Sequence, residues 1–356
     1  MTRSPAIQPK TSEGDLPAPA RQVATGPVLA LDLGASRIRV AAVSPAGRLD
    51  AWADARTPGA QGPTAVVEAC IERLRGVLEA LGPETRRSLA GIGIAAPGPV
   101  DPRSGVLIEP PNVGPGFRDI PLAGPIADAL GLPVVLERDT HVAALGEATY
   151  GAARGVRDFL YLTVSTGIGG AIVANGELYG GADGVGGEIG HLMVDIDGPP
   201  CGCGANGHLE AISSGSGIAR QARMAIDAGT APGLARIAQR LAPAPLEARD
   251  VAAAEDAGDP AAGAIMDRAR QAFGAALVGL VNVFNPELIV VGGTIAREQG
   301  ERWLGPARDA VAQQAFRVPR ERVRIVPAVL GDDVGLLGAQ PLLGLGGHVI
   351  EGRRRT

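Results

Sequence analysis

The sequence predicts an α/β protein made of two duplicated domains that face a shared cleft. Three observations carry this expectation. The chain has 356 residues, enough for two domains. Apolar strand-like segments alternate with segments of helical spacing. The pattern of apolar run, Gly-containing turn and apolar run at residues 28–43 returns at residues 159–174, so two similar β-hairpins open the two halves of the chain.

In chain order, residues 1–26 are rich in Pro, Ala, Ser and charge and read as a disordered tail. The first hairpin has Asp32 at the end of its first strand and Gly34 at its turn, and residues 49–56 follow as a third strand. Residues 64–81 have helical spacing (Val66, Val67, Cys70, Ile71, Leu74, Leu78) and stop at Gly82-Pro83, which places Cys70 in the core. Residues 89–96 form a buried strand ended by Pro97-Gly-Pro99. This strand contains G-x-G-x-x-A, but its glycines lie within the strand and prolines follow where a helix should open, so the dinucleotide reading is rejected. Asn112 falls in a Pro/Gly loop, and residues 122–130 form a short helix. Residues 132–136 are a strand that delivers Glu137-Arg138-Asp139 to its C-terminal end, before a helix over 142–150. Ligands gather at such strand ends in open α/β sheets, so Asp139 is placed for function; the plain alternative is a helix N-cap.

The second hairpin turns at Ser165-Thr-Gly-Ile-Gly-Gly170, where Thr166, Gly167 and Gly169 offer backbone N–H groups to a phosphate. Residues 213–270 read as helical with breaks near Pro232 and Pro243, residues 272–284 as a buried helix, and residues 288–294 as a strand ending in Gly292-Gly293-Thr294. A short strand at 324–327 and a helix over 332–345 that crosses back to the first domain complete the fold, and residues 351–356 read as a charged mobile tail.

Composition narrows the function. A net charge of −5 gives no footprint for nucleic acid. Lys10 is the only lysine and no G-x-x-x-x-G-K-[ST] occurs, which excludes a P-loop. No apolar run reaches the length of a membrane span, no signal-peptide core opens the chain, and three cysteines fit a reducing cytoplasm. Two of those cysteines and two of the four histidines fall within residues 191–208: His191, Cys201, Cys203 and His208. Thiolates and imidazoles are the donors zinc prefers, and four of them close a tetrahedral structural site. Glu188 and Glu210 flank this loop, which would hold both carboxylates towards a common pocket.

Together these pieces resemble the ROK family of sugar kinases and repressors, built on the actin-like ATPase (ribonuclease H-like) fold. Asp32-Leu-Gly34 and Ser36 look like its first phosphate motif, Pro97-Gly-Pro-Val-Asp101 like its connecting motif and Ser165–Gly170 like its second phosphate motif. Val290-Val-Gly292-Gly293-Thr294 looks like its adenosine motif. The most specific part is Gly187-Glu-Ile-Gly-His191 followed by Cys201-x-Cys203-Gly-x-x-Gly207-x-x-Glu210. The resemblance implies two α/β domains, a first over 27–140 completed by 332–346 and a second over 141–331. It implies an ATP-dependent kinase for the primary hydroxyl of a hexose, glucose foremost, with Mg²⁺ beside the nucleotide and a structural Zn²⁺. Asp139 would be the general base. Asn112, Glu188, His191 and Glu210 would bind sugar hydroxyls, and a homodimer or homotetramer is expected.

The sequence departs from the family at three places: His208 where a cysteine is usual, and Arg138 and His141 where asparagines are usual. Arg138 is expected either to pair with Asp139 and lower its pKa or to read a different hydroxyl pattern or an acidic sugar. N-acetylhexosamine, mannose or fructose therefore stay open as acceptors. So do polyphosphate as donor and a non-catalytic sugar sensor as the role.

Overall fold

The computed structural model describes residues 22–110, 113–345 and 348–352. The chain divides into two compact units. The first takes residues up to Val156, Leu178–Gly186 and the C-terminal stretch from Val329; the second takes Arg157–Glu177 and Gly187–Ala328.

The first unit is built on strands β1 (Val28–Leu33), β2 (Arg37–Val43), β3 (Leu49–Arg56), β4 (Gly91–Ala96) and β8 (Val134–Arg138), in the order β3-β2-β1-β4-β8. Strand β1 runs antiparallel to β2 and parallel to β4, and β4 is parallel to β8. Side chains alternate across β1. Leu29, Leu31 and Leu33 pack with Val66, Cys70, Leu74 and Val77 of helix α1 (Pro63–Ala80), while Val28 and Ala30 pack with Leu336, Leu337 and Ala339. With both faces covered, the strand is apolar apart from Asp32 near its end rather than alternating. Helices α2 (Pro83–Arg87), α3 (Ala123–Leu130) and α4 (Asp139–Thr149) belong to this unit. So does a small sheet of β5 (Val100–Asp101), β6 (Val106–Leu107) and β7 (Ile120–Pro121), whose two-residue strands carry no sequence period. The domain boundary expected near residue 140 assigns α4 to the second domain; by compactness it lies in the first unit.

The second unit repeats the sheet with β9 (Phe159–Val164), β10 (Ile168–Ala174), β11 (Glu177–Leu178), β12 (Leu288–Gly292) and β13 (Arg324–Pro327), in the order β11-β10-β9-β12-β13. Strand β10 starts earlier than the expected 171, because Ile168–Gly170 continue the ladder to Val164–Leu162. Helices α5 (Leu209–Ser213), α6 (Gly215–Asp227), α7 (Pro232–Leu241) and α8 (Ala248–Asp256) precede α9 (Pro260–Phe284). Helix α9 is 25 residues long, so the helix expected at 272–284 is its second half. The Asp259 carboxylate caps it by accepting the Ala261 and Ala262 N–H groups, and Asn285 ends it in the left-handed conformation. Phe273, Leu277 and Val281 of α9 pack with Leu160, Leu162 and Trp303, the last on α11 (Glu301–Gln314). Helices α10 (Thr294–Gln299) and α12 (Arg317–Arg320) complete the unit.

Three expectations are corrected. Residues 332–345 are not one helix; the stretch is a 3₁₀ turn (Gly331–Asp333) followed by α13 (Val334–Leu337) and α14 (Ala339–Gly344). Gly338 at the break lies against α4, where a Cβ would stand 2.0 Å from the Val142 carbonyl oxygen. The tail reading of residues 1–26 stops short: residues 1–21 lie outside the described residues, but Ala24 is buried and donates its N–H to the Gln340 carbonyl at 3.3 Å. At the other end, residues 353–356 lie outside the description. Ile350 bridges to Val134, and Gly352 sits close against the Ala127 carbonyl, so the chain is packed as far as residue 352. Among the described residues, no helix is long and apolar enough to cross a membrane.

Candidate active site

In the first unit, the β1–β2 hairpin sets Asp32 directly across from Arg39. Arg39 donates to the Asp32 carboxylate and, through its other terminal nitrogen, to the Asp332 carbonyl. Burial pushes the Asp32 carboxyl above the usual aspartate range, Arg39 pulls it back, and Asp333 adds a push upwards. Gly335 lies so close that a Cβ there would meet the carboxylate at 2.7 Å. The turn closes on itself, with Gly34 N–H bonding the Arg37 carbonyl at 2.8 Å, and is braced by Thr57, the residue after β3: Thr57 Oγ1 donates to the Gly34 carbonyl at 2.7 Å, and Thr57 N–H donates to the Ser36 carbonyl at 3.0 Å. Ser36 itself is exposed.

Asp139 opens α4 at the C-terminal end of β8, with Arg138 as the N-cap residue. Its carboxylate is exposed while Arg138, Thr140 and the rest of the helix are buried, and Oδ1 accepts the Thr140 N–H at 2.7 Å. Arg138 turns inward. Its Nη2 donates to His141 Nε2 and to the Gly186 carbonyl. Asn112 lies outside the described residues.

In the second unit, the Ser165–Gly167 turn is gripped from two sides. Ser165 Oγ accepts the Thr294 N–H at 2.9 Å, and the Ser165 and Thr166 carbonyls accept the Gly215 and Ser216 N–H groups. Gly293 has φ of +93° and no room for a Cβ, which would stand 2.4 Å from the Val164 carbonyl oxygen. Thr166 is exposed, whereas Gly167 and Gly169 are half-buried. Gly292 faces the Tyr161 hydroxyl. The Glu210 carboxylate, on the first turn of α5, accepts the Ile168 N–H at 2.9 Å and so closes the same turn.

Glu188 is exposed and immediately precedes the 3₁₀ turn Ile189–His191. The ligand atoms of His191, Cys201, Cys203 and His208 all lie within 4.8 Å of one another. His191 Nδ1 is 3.3 Å from His208 Nδ1 and 3.9 Å from Cys201 Sγ, and Cys203 Sγ is 3.3 Å from His208 Nδ1. A tetrahedral zinc with bonds of about 2.0–2.3 Å sets its ligand atoms about 3.3–3.8 Å apart, so this donor set fits the ion. Burial raises the Cys201 thiol pKa, and a dication offsets that cost by favouring the thiolate. The loop that carries the donors is closely tied: Cys201 N–H bonds the Ala205 carbonyl at 2.7 Å, and a Cβ on Gly207 would fall 1.7 Å from the Asp195 carbonyl oxygen.

These features define an α/β protein of the actin-like ATPase class: two sheets of matching strand order, each opened by a hairpin with a polar turn. The chain belongs to the ROK family, which it matches over residues 28–344. It is 35% identical to a glucokinase of Halalkalibacterium halodurans over 315 residues, covering 86% of this chain and 92% of that one. A ROK hexokinase from Thermus thermophilus superposes with a TM-score of 0.73 at 34% identity, over 89% of this chain and 97% of the other. A ROK glucokinase from Streptomyces griseus, solved in complex with glucose and AMPPNP, gives the same TM-score at 30% identity over 89% and 99%.

Sequence reasoning missed Arg39, the contact made by Ser165 and the partners of Arg138. The Asp32–Arg39 pair was within reach, because a hairpin with its turn at 34–36 sets those positions opposite one another. Ser165 reaches a backbone N–H 129 residues further along, and no local pattern signals that contact.

Proposed function

We propose that this protein phosphorylates the primary hydroxyl of a hexose with ATP as donor, glucose being the first acceptor to test. The observation that carries the reading is the exposed Asp139 carboxylate at the end of a parallel strand, within an otherwise buried helix of a ROK family chain. Asp139 accepts the proton of the primary hydroxyl as its oxygen attacks the γ-phosphorus. The bond from that phosphorus to the bridging oxygen breaks, and ADP leaves. Phosphoryl transfer depends on positioning and charge neutralisation, and the remaining residues serve those ends. Gly34, Ser36, Thr166, Gly167 and Gly169 hold phosphates, while Gly292 and Gly293 let the nucleoside approach the backbone. Asp32 would hold Mg²⁺, which offsets phosphate charge.

Glu188 and Glu210 accept hydrogen bonds from sugar hydroxyls, with Asn112 as a further ligand; ionised acceptors make the stronger bonds. The two nitrogens of His191 allow it both tasks: Nδ1 faces Cys201 and His208, leaving the Nε2 N–H to donate to a hydroxyl oxygen. His191, Cys201, Cys203 and His208 would hold Zn²⁺, which supplies rigidity to the segment that carries Glu210. A cluster of exposed apolar residues around the end of α9 (Val283, Phe284, Phe316, Val318) supports a homo-oligomer, which light scattering of the purified protein would detect.

The test is ADP release with ATP, Mg²⁺ and a panel of glucose, mannose, fructose and N-acetylhexosamines. Glucose-dependent release is expected, and no sugar-dependent release with any member would overturn the kinase reading. Calorimetric sugar binding without turnover would favour a sensor.

A further inference from the structure

The buried side chains around Asp139 have a task that the phosphoryl-transfer roles do not use. Arg138 and His141 are 3% and 2% exposed, although both are polar. His141 lies one turn into α4, within reach of Glu137 at i−4 and Arg138 at i−3. Its Nδ1 is 3.0 Å from Glu137 Oε1, an acceptor, so Nδ1 carries the proton and Nε2 presents a lone pair. That lone pair receives Arg138 Nη2, which also donates to the Gly186 carbonyl. Space for the arginine stem comes from Gly98, where a Cβ would stand 2.8 Å from Arg138 Cδ.

Gly186 ends a loop closed on itself: its N–H bonds the Gly180 carbonyl at 2.7 Å, and a Cβ on it would collide with Gly180. Apolar packing holds this loop weakly, since Tyr179 and Val185 are 53% and 38% exposed. Two residues beyond Gly186 the chain reaches Glu188.

We propose that Arg138, braced by His141 and Glu137, is a positioning residue for acceptor binding: it anchors the Gly180–Gly186 loop and thereby sets Glu188. This rests on the kinase reading for the role of Glu188. Arginine suits the task because its Nη2 carries two N–H bonds held in one plane, one for each acceptor, a direction that a freely rotating lysine ammonium does not fix.

Two measurements on the full chain test this. Arg138→Met keeps the stem beneath Gly98 and removes both donations. It is expected to raise the hexose KM about tenfold, with the ATP KM within about twofold. In sugar-free protein it should also speed amide hydrogen exchange across residues 180–188. His141→Leu should act in the same direction, and His141→Gln, whose carbonyl restores an acceptor, should recover most of the loss. Direct sugar contact by Arg138 instead predicts unchanged exchange and a silent His141→Leu, and that result would overturn the proposal. Exchange reads the anchor whether or not a hexose is turned over, so its failure is distinguishable from failure of the kinase reading. The His141 pair keeps the test open if Arg138→Met does not fold.

Discussion

The two hairpins have the same strand order around them and nearly opposite chemistry. The β1–β2 turn carries a half-buried carboxylate, Asp32, answered by Arg39 directly across the ladder. At the β9–β10 turn no charge comes from the strands themselves. Its shape is set by Ser165, by the N–H groups of Gly215 and Ser216, and by a carboxylate brought from α5, Glu210. The surroundings differ too: the first sheet gains a small three-stranded sheet, and the second gains helices α5 to α9 and the Cys/His loop. Duplication therefore preserves the backbone plan, which depends on apolar strands, and leaves the turns free to specialise. In our reading the first unit supplies acid groups for chemistry and metal charge, and the second supplies backbone donors and a pinned sugar-binding segment.

The largest expected effect lies in the first unit. Asp139→Asn keeps the Oδ1 acceptor for Thr140 N–H and sits at an exposed position, so the fold should be unchanged. Turnover should drop about a thousandfold with sugar and nucleotide binding within about threefold, as judged by steady-state kinetics and calorimetry. Retained turnover would remove chemistry from the first unit's side of the comparison.

Asp32→Asn should lower kcat roughly a hundredfold. It also gives a pH signature. Burial raises this carboxyl in the folded state, so its ionised form costs stability, and that cost is relieved as pH falls through the raised folded-state value. The melting temperature of the wild type should therefore gain on that of Asp32→Asn as pH is lowered from neutral. A gap that moves the other way would mean that the Arg39 pairing outweighs desolvation.

In the second unit, removing the metal with a chelator or by Cys201→Ser should lower Tm by on the order of 5–10 °C and raise the hexose KM more than the ATP KM. Elemental analysis should find about one zinc per chain before treatment. Unchanged Tm and KM would leave the loop held by its backbone bonds alone.

The smallest effects compare the sheets themselves. Gly93 of β4 lies under α14, where a Cβ would meet Ala339 Cβ at 2.7 Å and Cα at 3.0 Å. Gly292 of β12 faces the tip of Tyr161, its hydroxyl 2.8 Å from a Cβ. A helix backbone shifts less readily than a side-chain end, so Gly93→Ala should cost about 2 kcal/mol and Gly292→Ala less than about 1 kcal/mol in urea unfolding. Cys70, buried beside this first sheet with its thiol pushed up to about 12, should resist thiol reagents until the unit unfolds, unlike exposed Cys203 in chelator-treated protein.

Gly93 also shows how sequence and structure divide the explanation. The glycines of the rejected dinucleotide motif are accounted for by helix packing: Gly93 by α14, and Gly91 by Leu343 of α14 and the Pro133 carbonyl. The pattern announced a close approach without saying by what. Local periodicity and turn chemistry determined the strands, the long α1 helix and the duplicated hairpins, because each is written in the spacing of neighbouring apolar residues and glycines. The meeting of His191, Cys201, Cys203 and His208 was equally legible, since few other arrangements place four such donors within eighteen residues. Tertiary structure alone decided which way Arg138 points, that Glu210 closes the second hairpin turn, and that residues 332–345 break at Gly338. Those outcomes depend on contacts between segments far apart in the chain, and a short-range pattern carries no record of the atom waiting on the other side.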